Sequence, residues 1–167
     1  HHAWLIGGPE GIGKATLAYR FARHLLAPPG ERLAGGDGFD VDPIGRTSRQ
    51  VAALSHPNLV AVERAAAEEG KAEKKIIGVD SVRKALAFFS STAADGGRRV
   101  CIVDSVDDLN MQAANALLKT IEEPPPGALI LLVSHAPRRV LPTIRSRCRQ
   151  LDLAPLAPRS LEAILAV

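Results

Sequence analysis

The feature that most constrains the fold is a glycine-rich turn near the start of the chain, Gly8-Pro9-Glu10-Gly11-Ile12-Gly13-Lys14-Ala15. An apolar run from Ala3 to Ile6 precedes it, and Leu17, Phe21 and Leu25 follow it at helical spacing. A strand, a glycine-rich turn and an amphipathic helix in this order are typical of a phosphate-binding loop. The order predicts an α/β fold with a parallel sheet, although a strand-to-helix turn without a ligand fits the same residues.

The loop lacks the side chain that holds Mg²⁺ in the pattern G-x-x-x-x-G-K-[ST]. In that pattern backbone N–H groups and the lysine contact the phosphates, and the final hydroxyl binds the metal. The candidate phosphate-binding residues are Gly8, Gly11, Gly13 and Lys14. Ala15 occupies the hydroxyl position, and Thr16 is no replacement because each helical residue turns the side chain by about 100°. We therefore expect a phosphate cradle without a metal ligand.

A second deviation lies at the end of an apolar strand. The run from Val100 to Asp104 predicts a buried strand that ends in a carboxylate, like the Mg²⁺-associated acid of P-loop NTPases. Hydrolysing branches with a second acid continue with Glu, which polarises the attacking water, whereas this chain continues with Ser105. Serine is not a general base at neutral pH without help. Together with Ala15, this indicates a lost ATPase, although an Asp at a strand end is also a common turn former.

Arginines alternate in the segment from Thr143 to Arg149. In an extended segment Arg145, Arg147 and Arg149 would project to one side. Taken alone, they fit a solvated basic edge that prevents strand pairing. Upstream lies Asn115-Ala116-Leu117-Leu118-Lys119-Thr120-Ile121-Glu122-Glu123-Pro124-Pro125, which changes this interpretation.

The loop, this string and Ser146-Arg147-Cys148, in this order, resemble the clamp-loader branch of the AAA+ ATPases, and within it the delta-prime family of bacterial DNA polymerase III. The resemblance runs from about His2 to Leu156. It implies an AAA+ P-loop NTPase fold, a five-stranded parallel sheet flanked by helices, truncated at the N-terminus. In that family the Ser-Arg-Cys arginine is supplied in trans to ATP on a neighbouring subunit, so the match makes Arg147 the arginine finger. Ser134 matches the sensor-1 position.

The resemblance also implies function and partners. It predicts a non-hydrolysing stator of the DNA polymerase III clamp loader, which contributes to the holoenzyme without being the polymerase. The implied partners are the motor (gamma/tau) and delta subunits, the sliding clamp, and primer-template DNA within the assembled complex. No cofactor is required, although ATP, ADP, phosphate or sulfate could bind the loop without a well-held Mg²⁺. Zinc is not expected, because Pro28 to Gln50 lacks the four cysteines that many members carry there.

Two other functions fit parts of the chain. The first is an autonomous P-loop ATPase or nucleotide-dependent switch that tolerates Ala15. The second is a nucleic-acid-binding module built on Arg138, Arg139, Arg145 and Arg149. A hydroxyl at position 15 and an acid at position 105 would have favoured the first, and aromatic residues among the arginines would have favoured the second. The sequence has neither feature.

Composition agrees with one globular core. The chain has 167 residues, of which 46% are hydrophobic and only 4% aromatic, which favours an Ala/Leu/Val core under helices. No apolar run approaches the roughly 18 residues of a membrane span, so we expect a cytoplasmic protein without a membrane partner. Cys101 and Cys148 are too few for a disulfide framework and are expected to be reduced. The net charge of +3 permits contact with nucleic acid but does not require it.

The elements predicted from the pattern alternate between strands and helices. The predicted strands are Ala3–Gly7, Leu59–Glu63, Arg99–Asp104, Ala128–Ser134 and Gln150–Leu153. Asp80 is expected to cap a helix whose core face carries Val82, Leu86 and Phe89. Asp108 or Asn110 is expected to start another helix, with Met111, Ala114, Leu118 and Ile121 on its core face.

The charged stretch from Arg64 to Lys75 predicts a solvated loop. Residues 1–154 form the predicted AAA+ domain, and 155–167 the predicted start of a lid domain.

Overall fold

A five-stranded parallel sheet forms the centre of the molecule. The computed structural model describes residues 1–35, 38–64, 76–90 and 97–157. The strands are β1 (Ala3–Gly7), β2 (Leu59–Glu63), β3 (Arg99–Asp104), β4 (Ala128–Ser134) and β5 (Arg149–Asp152). Every pairing is parallel, in the order β2-β3-β4-β1-β5. The predicted sheet is confirmed, and only β5 differs, since it begins and ends one residue earlier than expected.

Helices cover both faces of the sheet. They are α1 (Lys14–Leu26), α2 (Arg46–Ala52), α3 (Val79–Ala87), α4 (Met111–Glu122) and α5 (Pro142–Arg145). Ala18, Ala22 and Val51 bring α1 and α2 into one buried cluster, and α3, α4 and α5 belong to another on the opposite face. Strand residues alternate between the clusters, so that Leu129 and Leu131 of β4 face α1 while its even-numbered neighbours face α4. All seven residues of β4 are buried, as expected for a central strand covered on both faces.

The small residues of α1 make its closest contact with the sheet. The helix is amphipathic as predicted, but its fully buried apolar residues are Ala18 and Ala22. The larger Phe21 and Leu25 are only partly buried and pack at the border of the same cluster. Alanine at the centre lets the helix backbone approach the strands closely, which places the helix N-terminus near the ends of the strands.

The helices α3 and α4 begin with different kinds of residue at the N-cap position. Asn110 caps α4, because its side chain accepts a hydrogen bond from the backbone N–H of Ala113 at 2.8 Å. The expected cap at Asp80 is wrong: α3 begins at Val79 after Gly78, which places Asp80 in the first turn. A carboxylate in the first turn is still favourable, since it faces the positive end of the helix dipole.

The predicted core face of α4 is wrong at its first position. Met111, the first residue of the helix, is 63% exposed. Ala114 and Ile121 are buried as expected, but Leu117 is fully buried where Leu118 was predicted. Phe89 is buried as predicted, in a 3₁₀ turn that follows α3.

The segment with three arginines is not extended. Arg145 ends α5, Arg147 lies in the turn that follows, and Arg149 begins β5. The three side chains consequently diverge: Arg145 lines a cleft with Gly8 and Pro9, Arg147 contacts Glu122, and the Arg149 guanidinium lies 5.7 Å from the Trp4 ring centre. The three side chains do not share one side, because only an extended segment would align them and the chain makes a helical turn here.

Two expectations fall largely outside the described residues. Of the charged stretch, only Arg64 is described, and its Nε lies 3.1 Å from the Asp108 carboxylate rather than free in solvent. Of the predicted lid segment, residues 158–167 lie outside the described part. Within the ranges that the structure describes, no helix is long and apolar enough to cross a membrane.

Candidate functional site

The candidate site lies at the carboxyl edge of the sheet, where the ends of four strands meet. Gly7 pairs with Ser134, and Glu63 pairs with Asp104. This register brings the last residues of β1, β2, β3 and β4 into one row. The glycine-rich loop leaves β1 at this row and leads into α1. Ligands of open α/β sheets bind outside the carboxyl ends of the strands, so this edge is the expected place for a phosphate.

Three glycines of the loop, Gly8, Gly11 and Gly13, have positive φ angles. Gly13 has a φ of 89°, a left-handed conformation that side chains rarely adopt, directly before the first residue of α1. Gly8 has a φ of 143°, and an added Cβ there would lie 2.4 Å from the Leu153 carbonyl oxygen. Glycine is therefore required at both positions by geometry.

Lys14 is buried at the start of α1 and is engaged by the loop itself. Only 3% of the residue is exposed, and Nζ donates a hydrogen bond to the Pro9 carbonyl at 2.5 Å. Burial lowers the pKa of Lys14, while the carboxylates of Asp104, Asp107 and Glu10 act in the opposite direction. The Lys14 ammonium group thus contacts the backbone of the loop. In the P-loop motif, the lysine at this position contacts a phosphate.

The cleft beside the loop contains several carboxylates. Its volume is about 540 Å³, and Glu10, Glu63, Asp104, Arg64 and His135 are among the residues that line it. Burial raises the pKa of Asp104, and the neighbouring Glu63 raises it further, whereas His135, Lys14 and Arg64 lower it. An anion in this cleft would meet acids as well as the lysine.

The residues present do not fit a Mg²⁺ ion held in the usual way of a P-loop. Ala15 has no oxygen, and it packs partly against the apolar cluster beneath α1. Thr16, one position further along the helix, lines both this cleft and the groove between α1 and α2. The side chain that the motif requires as a metal ligand is absent.

Ser105 is turned away from the cleft. It is 98% buried, and its hydroxyl lies 3.2 Å from the carboxylates of both Asp107 and Asp108. A hydroxyl that is buried and already engaged with carboxylates cannot accept a proton from water in the cleft. Its position supports the prediction that the second acid of a hydrolysing ATPase is missing.

Asp107 was not recognised from the sequence, yet it connects the ends of β3 and β4. Its Oδ1 accepts a hydrogen bond from the Ser134 hydroxyl at 2.9 Å, and its Oδ2 accepts one from the His135 backbone N–H at 2.6 Å. Ser134 is completely buried. The only sequence signal was a pair of acids, Asp107 and Asp108, shortly after a strand end, which is equally typical of a surface turn.

Arg147 lies far from this cleft, at the amino edge of the sheet. Its Nε is 2.9 Å from Glu122 Oε1, and Nη1 donates to the Thr143 carbonyl at 3.0 Å. Glu122 ends α4, close to the residues before β1, because His2 Nε2 lies 2.8 Å from the Ile121 carbonyl. Arg147 therefore projects from the side of the sheet opposite to the loop.

The structure brings together Lys14, Asp104 and Ser134 but not Arg147. The two edges are separated by the five residues of β1, a length of about 13 Å at the rise of a strand. The Arg147 side chain is 42% exposed and anchored towards α4 rather than along the sheet. Arg147 cannot contact a phosphate bound to the loop of its own chain.

A cleft at the carboxyl edge of a parallel sheet in this strand order, with a glycine-rich loop before α1, defines an AAA+ P-loop NTPase fold. Solved structures agree. The chain is similar to a DNA polymerase III gamma subunit-related protein from Thermotoga maritima, with a TM-score of 0.58 and 20% identity, over 98% of this chain and 44% of that one. It is also similar to the RuvB Holliday junction branch migration motor of that organism, with a TM-score of 0.54 and 17% identity, over 98% and 41%.

Sequence comparison identifies the family within this class. A family model described as DNA polymerase III, delta subunit, matches residues 1–157. The chain is 41% identical to the DNA polymerase III subunit delta' of Pseudomonas aeruginosa and 38% identical to that of Escherichia coli, over 89% and 93% of its length. It belongs to the delta-prime family of DNA polymerase III subunits.

The chain is also 32% identical to a gamma/tau subunit from Mycobacterium bovis, over 99% of its length and 26% of that protein. The chain spans 42% and 43% of the two delta' relatives.

Proposed function

We propose that this chain is a clamp-loader stator that supplies Arg147 to the ATP site of a neighbouring motor subunit and hydrolyses no ATP itself. The surrounding complex would consist of gamma/tau motor subunits and a delta subunit, and would load the sliding clamp onto primer-template DNA. Membership of the delta-prime family and the similarity to a gamma/tau subunit support a place in such a complex.

The observation that carries the proposal is the position of Arg147. An arginine finger acts by contacting the oxygens of a transferring phosphoryl group, and such fingers raise the rate by roughly 10³- to 10⁵-fold. Arg147 is exposed at the amino edge, about 13 Å of strand away from the loop of its own chain. If it contacts a nucleotide, that nucleotide belongs to another subunit. The planar guanidinium of an arginine presents several N–H donors to phosphate oxygens, as this role requires.

The state of the chain's own cleft supports the non-hydrolysing part of the proposal. Ala15 offers no oxygen to a metal ion, and Ser105 is buried against two carboxylates. The chain thus combines an exposed arginine directed outwards with a cleft that lacks both groups needed for hydrolysis. This division of roles matches a subunit that completes the active site of its neighbour.

The test is the variant Arg147→Ala in a reconstituted loader that contains this protein. ATP turnover stimulated by clamp and DNA should fall, with the loss confined to one motor site. Folding and assembly should be nearly unchanged, because an exposed arginine contributes little to stability. Arg147→Lys should not fully restore turnover, since an ammonium group lacks the planar fork that contacts two phosphate oxygens.

Arg149→Ala and Arg145→Ala are controls of the same charge from the same segment. Their side chains point elsewhere, Arg149 onto Trp4 and Arg145 into a cleft beside the loop. Turnover at saturating DNA should respond to the change at Arg147 alone. If all three variants weaken DNA binding equally and none alters turnover, the segment is a basic DNA-binding edge and the trans role is wrong.

A second candidate function is metal-independent binding of an anion at the loop. The left-handed φ of Gly13 and the position of Lys14 at the N-terminus of α1 favour it. The affinity should be modest, because Lys14 is engaged by Pro9 and faces Asp104. Titration with inorganic phosphate and with ADP, with and without Mg²⁺, tests this function. Binding should be independent of Mg²⁺ and lost in Lys14→Ala; no binding by the unchanged protein would exclude it.

A further inference from the structure

We propose that Glu122 is a positioning residue for Arg147, whose carboxylate holds the guanidinium in the orientation in which it enters the ATP site of the neighbouring subunit. This inference rests on the proposed trans role of Arg147. It adds a residue whose effect is exerted through the arginine and not through contact with the nucleotide.

Two anchors from two different elements hold the guanidinium. Glu122, the last residue of α4, contacts Nε at 2.9 Å, and the Thr143 carbonyl of α5 accepts from Nη1 at 3.0 Å. A charged pair and a backbone acceptor together restrict both the direction and the rotation of the fork. The Nη2 hydrogens take no part in these contacts, so this edge of the fork keeps donors for a phosphate oxygen. Arg147 can therefore donate to a phosphate oxygen while its contacts with Glu122 and Thr143 remain in place.

Glu122 stands where helix electrostatics disfavour an acid. It is the final helical residue of α4, and Pro124 follows shortly after the end of the helix. The carboxyl end of a helix carries partial negative charge, so a carboxylate there is unfavourable unless a cation offsets it. Arg147 is the cation that the structure places against it. A broken local preference of this kind is expected at functional or strained sites.

The pair is too exposed to serve the stability of the fold. Each side chain of the pair is 42% exposed, and ion pairs of this exposure contribute little to folding. The contact instead orders a long side chain before the neighbouring subunit arrives. An arginine that is free in solvent loses rotamer freedom when it binds, and ordering it in advance removes part of that loss from the binding step.

The experiment compares Glu122→Ala, Glu122→Gln and Glu123→Ala in a reconstituted loader that contains this protein. Glu122→Ala should lower kcat for ATP hydrolysis at the affected site by about 3- to 10-fold, the range for ordering one side chain, with KM for ATP unchanged. Glu122→Gln should retain most of the rate, because the amide oxygen still accepts from Nε. Glu123 is the adjacent exposed carboxylate, and its loss should leave kcat unchanged. Circular dichroism and co-purification verify that each variant folds and assembles.

A double variant separates positioning from any other effect of Glu122. With Arg147→Ala present, adding Glu122→Ala should lower turnover no further, since the arginine through which Glu122 acts is gone. An additional loss in that background, or a rate increase from Glu122→Ala alone, would overturn the proposal. Unchanged turnover in Glu122→Ala beside impaired turnover in Arg147→Ala rejects positioning and leaves the finger in place. If Arg147→Ala itself leaves turnover unchanged, the proposed function fails.

Discussion

The hydroxyl of Ser134 donates a hydrogen bond to Oδ1 of Asp107 at 2.9 Å, and this contact joins the carboxyl ends of two neighbouring strands. The second oxygen of the same carboxylate accepts from the backbone N–H of His135 at 2.6 Å. Ser134 is thus engaged by an acid of its own chain. Both oxygens of the Asp107 carboxylate at this edge of the sheet are therefore occupied by donors of the same chain.

Replacing Asp107 should destabilise the fold. Asp107→Ala leaves the buried Ser134 hydroxyl and the His135 N–H without their acceptor, and an unsatisfied buried polar group costs about 1–3 kcal/mol. Urea denaturation measures the loss. Asp80→Ala is the matched control, because Asp80 is 88% exposed and lies 3.9 Å from Arg83; it should change stability by less than about 0.5 kcal/mol. Equal stability of the two variants would show that the network contributes nothing.

The chain should have no ATPase activity of its own. Steady turnover that is abolished by Lys14→Ala would contradict this prediction and would favour the autonomous ATPase. Ala15→Thr restores the missing hydroxyl and should increase Mg²⁺-dependent nucleotide affinity more than turnover, since Ser105 remains buried and cannot activate water. Nucleotide binding and phosphate release, measured with and without Mg²⁺, distinguish the two effects. A large gain in rate from this single change would mean that the second acid is dispensable.

Asp104→Asn should raise the melting temperature at neutral pH. Burial raises the pKa of Asp104 above its usual 3.8, so the folded state holds the proton more firmly than the unfolded state does. The ionised carboxylate therefore lowers stability at pH values above its folded pKa, and this penalty disappears as the pH falls below 3.8. An uncharged asparagine lacks the penalty. Thermal unfolding across pH should show a difference that closes in acid, and a constant difference would point to packing instead of charge.

Both cysteines should be unreactive in the folded protein. Cys101 lies in β3 and Cys148 follows Arg147, and both are free and buried. Burial raises the pKa of Cys101 to about 12 and that of Cys148 to about 11, so almost no thiolate forms at neutral pH. A chromogenic disulfide reagent should label neither thiol in buffer and both in denaturant. Rapid labelling of Cys148 in the native protein would show that the turn carrying Arg147 opens.

Local patterns were sufficient for the architecture. Four strands were predicted with the bounds that the structure shows, because buried parallel strands appear as continuous apolar runs between turns. The helical turn before β5 was not predicted, since the alternating arginines were considered only as an extended segment. Pro142 at the first turn of α5 was the signal against the strand. Met111 was assigned to the core because helical periodicity does not reveal how far along a helix the burial extends.

The sequence by itself determined the class of fold, the shape of the loop and the two losses at Ala15 and Ser105, because each depends on one residue type at a fixed place in a short pattern. Only the tertiary structure decided which side chains meet. Asp107 contacts Ser134 across 27 positions of chain, and Glu122 at the end of α4 contacts Arg147 in the turn after α5. Such contacts arise from how strands and helices pack, and no local pattern encodes them. The same packing places Arg147 and Lys14 at opposite edges of the sheet. All strands of a parallel sheet begin at one edge and end at the other.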